Sequence, residues 1–287
     1  MGRCTIADVA MLIRWRVSLM VAGATFFGAM LAVPHVTITH LLASLATFLL
    51  AGGCSAINQV QEADLDAVIP RTASRPIPCG RIGHMYGSLM GLALVTVGWM
   101  VLCLAGGLTS LLVGIGIVAV YNGLYTPLKR RTSFALLVGA AAGAMPPVVG
   151  WLAVGGHPAS PMLVVVYTLY LLWQIPHFWL HAARDREAYR KARLPLPLLS
   201  LPHERYARLL KVWFHAYAVA VLMVPAFPLL EWVGMRIMVT LCGIALLFAA
   251  MLAVRKRRVA LHIADAVLCA VMVVLLIDRL AIPVSLF

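Results

Sequence analysis

Leu41–Ile57, LLASLATFLLAGGCSAI, runs without a spacer into Asn58–Pro78, NQVQEADLDAVIPRTASRPIP. The first part is uncharged and continues an apolar run of the length that crosses a bilayer. The second gathers Glu62, Asp64 and Asp66 in a chain with only ten acidic residues. If the helix continues through the junction, Asn58, Glu62 and Asp66 stand four apart and form one stripe of oxygen ligands at a membrane surface. Asp64 starts off that stripe and joins it only where the helix unwinds. Pro70 favours unwinding nearby, because it disfavours a helical Ile69.

Working outward, the 287 residues are 63% hydrophobic and 11% charged, a composition outside that of a soluble domain. Nine spans are expected, at about 15–34, 38–57, 84–105, 108–127, 133–153, 160–181, 209–230, 235–254 and 260–281. They leave no room for a sizeable soluble domain, so residues 1–287 read as a single intramembrane domain whose site lies on loops 58–83 and 182–208. The net charge of +13 is a topology signal rather than a nucleic-acid footprint. Nearly all the bases fall in alternate loops: Arg3, Arg14 and Arg16; Arg71, Arg75 and Arg81; Lys129–Arg131; Arg184 to Lys211; Arg255–Arg258. The positive-inside rule then puts the N-terminus in the cytoplasm and, after nine crossings, the C-terminus outside. The six cysteines are scattered singly and predict neither a disulfide framework nor a metal site.

Small residues recur in Leu112–Val120 and Leu137–Ala144, at spacings that let helix backbones approach closely. Met145–Pro146–Pro147 is expected to kink the fifth span. The second span runs into Asn58, Glu62 and Asp66; the sixth runs into His177, His181 and Asp185, again four apart, with Tyr189 next. Two polar helix ends in corresponding halves point to one site between them.

Asn, Glu and Asp oxygens without nearby Cys or His suit a hard cation, Mg²⁺ where a phosphate completes the shell. Arg71, Arg75 and Lys129–Arg131 add fixed positive charge on the same face, and arginine grips phosphate oxygens in pairs. A solvated loop would account for any one of these residues. The whole set at helical spacing indicates a diphosphate site, and nine helices to hold an apolar tail suggest an isoprenoid.

The run Asn58 to Asp66 followed by Arg71-Thr72 and Arg75-Pro76 resembles the first signature of the UbiA-type intramembrane prenyltransferases. Tyr125-Thr-Pro-Leu-Lys129-Arg130, Pro146-Pro147-Val-Val-Gly150-Trp151 and Trp173-Gln174-Ile-Pro176-His177-Phe178 resemble its haem-farnesylating branch. The resemblance implies an all-α bundle of nine transmembrane helices in the inner (plasma) membrane, with a central cavity open to the cytoplasm. It implies Mg²⁺-dependent transfer of farnesyl from farnesyl diphosphate to a vinyl group of haem b, making haem O. By position, Asn58, Glu62, Asp64, Asp66 and Arg71 carry catalysis, while Arg71, Arg75, Tyr125, Lys129 and Arg130 bind diphosphate. Asn58, Glu62, Asp66 and Asp185 hold the metal, His177 and Gln174 contact haem, and Asp185, Glu187 and Tyr189 form the second polar motif. A haem A synthase or terminal oxidase assembly is the implied downstream partner. Two departures stand out: Ala188 where an acid is expected before Tyr189, with Glu187 or Asp185 as substitutes, and Arg14-Trp15-Arg16 where the family has a Lys-Pro-Arg-like triplet.

A UbiA-type enzyme acting on a quinone precursor is the nearest rival. A non-enzymatic transport or haem-handling protein is a second; it predicts ionisable residues reaching the outer loops, which are nearly bare of charge.

Overall fold

The computed structural model describes residues 4–281; Arg3 and the final six residues lie outside them. Among the described residues every regular element is helical: α1 (Ile6–Leu12), α2 (Trp15–Ala32), α3 (Ile38–Gln61), α4 (Ala63–Val68), α5 (Pro70–Ala73), α6 (His84–Val118), a π-helical stretch Ala119–Tyr125, α7 (Thr126–Leu128), α8 (Ala135–Gly143), α9 (Pro146–Ala153), α10 (Pro161–Ala182), α11 (Arg186–Lys191), α12 (Pro197–Ser200), α13 (His203–Met223), α14 (Val233–Leu252) and α15 (Arg257–Leu280).

Eight of the described helices are long and apolar enough to cross a membrane, against the nine expected. The difference lies in the 45-residue run His84–Leu128, which as a straight helix would measure about 68 Å, twice a bilayer's hydrocarbon core. It is not straight. Gly106 (φ −134°, ψ 18°) and Gly107 (φ 64°, ψ −161°) leave the helical region, and Gly107 occupies a conformation only glycine adopts at low cost. A methyl placed on Gly114 would touch Leu102 and Trp99, which on a continuous helix would lie about 18 Å or more away. The chain therefore reverses at Gly106–Gly107 into two limbs.

The helices gather into two compact units. The first runs to Gly156 and takes in Asp185–Leu196; α3 packs on α6, and α2 on α3 and α9. Its core joins Ala46 and Leu50 of α3 to Val95 and Leu102 of α6 and Val149 of α9. The α2–α9 approach is set by Gly28, where any Cβ would collide with the Pro147 carbonyl. The expected break in the fifth span falls at Ala144–Met145, with Pro146 opening α9, where its missing N–H costs nothing. The second unit comprises His157–Arg184 and the chain from Pro197 on: α13 packs on α14, α14 on α15, and α10 on both α13 and α15.

Candidate active site

The junction after α3 bends rather than running straight. Glu62 (φ −113°, ψ 17°) separates α3 from α4, yet the hydrogen bonds Glu62 N–H to Asn58 and Asp66 N–H to Glu62 persist at 2.9 and 2.8 Å. The i, i+4 relation of the three residues thus survives the bend, and all three are buried. Asp64 stays off that face and exposed. Ile69 is extended (φ −90°, ψ 116°) as Pro70 demands, and α5 begins afresh at Pro70.

Each acid of this stretch is held by its own base. Asp66 accepts from Arg75 at 2.6 Å, with both side chains largely buried. Glu62 accepts from Lys129 at 3.0 Å. Asp64 takes both arms of Arg130, at 2.8 and 2.6 Å, and that guanidinium also donates to the Gln61 carbonyl. The Arg130 hydrogen bonds hold the Asp64 carboxyl below the usual carboxylate range. Asn58 donates to Thr126 at 3.1 Å, and Thr126 in turn donates to the Tyr121 carbonyl. Thr126 and Lys129 follow the π-helical stretch, a distortion common at functional sites. Within that stretch Asn122 donates to Cys54 and Gln61, and receives from Gln61, so it ties the distorted turn to α3.

The second polar motif divides. Helix α10 stops at Ala182, which ends the expected stripe of four-residue steps. Asp185 joins the first unit, where it accepts from Arg71 at 3.2 Å, and Tyr189 also bonds Arg71. Glu187 instead pairs with Arg190 of its own helix, exposed, at 3.4 Å. His177 lies in the second unit, where its Nδ1 meets Asp265 Oδ1 at 2.7 Å and the same oxygen accepts from Trp173 Nε1 at 2.9 Å. The His181 ring packs on His177 at 4.6 Å. Buried Gln174 donates to the Tyr170 carbonyl of its own helix.

A partner residue and a backbone feature escape a reading of sequence motifs. Asp265 lies inside α15, and its signal was available: an acid in the middle of an apolar span is functional by default. Arg14 carries the other. It opens α2 in the left-handed region (φ 48°, ψ 51°), a strained conformation for a residue with a side chain. It forms no ion pair among the described residues.

The donor set suits a hard cation. It is all oxygen, and Glu62 Oε1 is buried with no hydrogen-bond partner among the described residues. No three Asp, Glu, His or Cys of the described residues converge as a ready ligand cluster, since each carboxylate is turned to a base.

A polytopic helical bundle with charged side chains buried in ion pairs at its helix ends is the framework of an intramembrane enzyme. The profile of the UbiA prenyltransferase family matches residues 21–277, and the chain belongs to that family. It is a multi-pass membrane prenyltransferase. Over 94% of this chain and 95% of the relative, it is 43% identical to a protein of Oleidesulfovibrio alaskensis named protoheme IX farnesyltransferase. Two solved structures share the fold. A UbiA homologue from Aeropyrum pernix K1 has TM-score 0.75 at 18% identity, covering 92% of this chain and 98% of that one. A UbiA homologue from Archaeoglobus fulgidus bound to GPP and Mg²⁺ has TM-score 0.69 at 16% identity, covering 96% and 100%.

Proposed function

We propose that this prenyltransferase moves a farnesyl group from farnesyl diphosphate to a vinyl group of haem b, in an Mg²⁺-dependent reaction at the cytoplasmic side of the plasma membrane. The observation that carries the reading is the 43% identity along nearly the whole chain to a relative of that name. The orientation rests on the loop bases, which put the N-terminus in the cytoplasm and the C-terminus outside.

Asn58, Glu62, Asp66 and Asp185 are the oxygen donors that would hold Mg²⁺, with diphosphate oxygens completing its shell. When bound there, the cation would supply charge neutralisation for the departing diphosphate. Arg71, Arg75, Lys129 and Arg130, now each on a carboxylate, and Arg14, which forms no ion pair among the described residues, provide the phosphate grip. Tyr125, the last residue of the π-helical stretch, adds a hydroxyl. As the carbon–oxygen bond breaks, positive charge develops on the allylic carbon and negative charge on the leaving group. Fixed guanidinium and ammonium groups stabilise the latter without reorganising. The haem vinyl carbon then bonds to the allylic carbon, and water adds to the resulting cation with loss of a proton. No protein nucleophile is required.

For the acceptor, His177 is the haem contact. Asp265 accepts the Nδ1 proton, which leaves Nε2 as the nitrogen with a lone pair, the arrangement used by metal-binding histidines. Haem O would pass to a haem A synthase or terminal oxidase. Mass analysis of products after incubating the purified protein with haem b, farnesyl diphosphate and Mg²⁺ is the test: farnesylated, hydrated haem supports the reading, and farnesylation of a quinone precursor with haem untouched removes it.

A further inference from the structure

In the second unit, the loop end of the α10–α15 pair carries a pocket of about 160 Å³ lined by Leu180, Ala183, Arg184, Arg257, Arg258 and Leu261. None of the three guanidiniums forms an ion pair among the described residues, in contrast to the bases of the first unit's motif. The positive-inside rule explains why arginines occur in this loop. It does not explain why they line one apolar-floored pocket in register with His177.

That register follows from helix geometry. Leu180 of the pocket comes three residues after His177 within α10, so the two are neighbours on one helix face, one turn apart. On the facing helix, Leu261 of the pocket sits one turn before Asp265, the partner of His177. Three cations that form no ion pair among the described residues thus lie one helical turn, at Leu180 and Leu261, from the level of an imidazole whose Nε2 takes no hydrogen bond among the described residues.

We propose that the pocket and the helix faces between it and His177 form a groove that binds a metalloporphyrin dicarboxylate end-on, with Arg184, Arg257 and Arg258 on its two carboxylates and His177 at its metal. The assignment rests on the haem reading above and specifies how the acceptor lies. In such a porphyrin the carboxylates occupy one edge and the vinyl groups the opposite edge. Anchoring the carboxylates at the loop end therefore sends the vinyl edge inward past His177, towards Trp173. Paired guanidinium–carboxylate contacts give direction as well as affinity, so the arginines select which edge leads.

The test is an absorbance titration of the full-length protein in detergent with haem b and with its dimethyl ester, for wild type and for Arg257→Gln/Arg258→Gln. Wild type should bind the diacid at least about tenfold more tightly than the ester, because charge-assisted hydrogen bonds are lost with the carboxylates. In the double variant that preference should shrink severalfold or more, with ester affinity and the spectrum of the bound porphyrin unchanged. A preference that survives in the variant overturns the proposal, as does a wild type that holds the ester equally well. Arginines serving lipid headgroups would give that same unchanged ratio. If the double variant loses both ligands through misfolding, Arg184→Gln alone decides: selective loss of the diacid supports the groove, and indifference overturns it. Failure of the wider reading looks different, since wild type would then make no farnesylated haem whatever its porphyrin preference.

Discussion

The polar clusters of the two units handle charge in opposite ways. In the first, Glu62, Asp64, Asp66 and Asp185 each hold a base, so cations and anions are stored as neutral pairs. In the second, one carboxylate, Asp265, is shared between an imidazole and an indole, and Arg184, Arg257 and Arg258 form no ion pair among the described residues. The first arrangement suits a ligand that arrives as a metal and a polyanion together, because carboxylates can turn to the metal while the released bases turn to phosphate. The second suits a ligand whose own charges are two carboxylates and whose metal needs one nitrogen. Paired charges are a site that must rearrange; an oriented histidine is a site already set.

The sharpest way to break this contrast is at Asp66. Asp66→Ala should lower turnover by about a hundredfold or more, the scale of losing one electrostatic contact to a developing charge. It also strands buried Arg75, at a cost of about 3–5 kcal/mol. The exchange Asp66→Arg with Arg75→Asp separates the two effects: thermal stability in detergent should recover while product formation, read by mass, should not. Recovery of turnover in the exchanged protein would make the pair structural and remove the metal assignment.

Asp265→Asn tests the other side of the comparison. Carboxylates that orient metal-binding histidines cost about 10–100-fold in affinity or activity when lost. The variant should raise KM for haem b on that scale, shift the bound-haem absorbance band and leave KM for farnesyl diphosphate unchanged. A change confined to kcat would deny it an orienting role.

The second motif offers a smaller effect. Asp185 reaches Arg71, whereas Glu187 only pairs with Arg190 on its own helix. Asp185→Asn should therefore raise the Mg²⁺ concentration for half-maximal rate severalfold, and Glu187→Gln should not. Equal curves for both variants and wild type would leave Asn58, Glu62 and Asp66 as the whole donor set.

The smallest effect belongs to Asp64 and Arg130, which are partly solvated. Arg130 lowers the Asp64 carboxyl pKa in the folded protein. The pair's stabilisation is thus complete above the unfolded carboxylate value, about 3.9, and is lost as pH falls through the lower folded value. Unfolding midpoints of wild type and Asp64→Asn should differ by less than about 1 kcal/mol at neutral pH and converge in acid.

Much of this was legible in the chain itself. Apolar runs and loop bases located the helices, and Pro70 and Pro146 marked real breaks, because proline acts through its own ring and missing N–H. Four-residue spacing correctly grouped Asn58, Glu62 and Asp66. Spacing misled for His177 to Tyr189, where the helix stops at Ala182 and Asp185 and His177 go to different units. Which base holds which acid could not be read either, since Glu62 and Lys129 are 67 residues apart and only the fold pairs them. Asp265 was visible as an acid within an apolar span, but its partners, about 90 positions earlier, were not.

The turn at Gly106–Gly107 also bears on how the protein is made. Two glycines with no charge between two apolar limbs give the insertion machinery no polar segment to retain or translocate between them. A short uncharged turn of this kind favours entry of the two limbs into the bilayer together, as a hairpin. Any residue with a side chain at Gly107 would strain that turn through its positive φ, far from the charged helix ends, although there is open space around it.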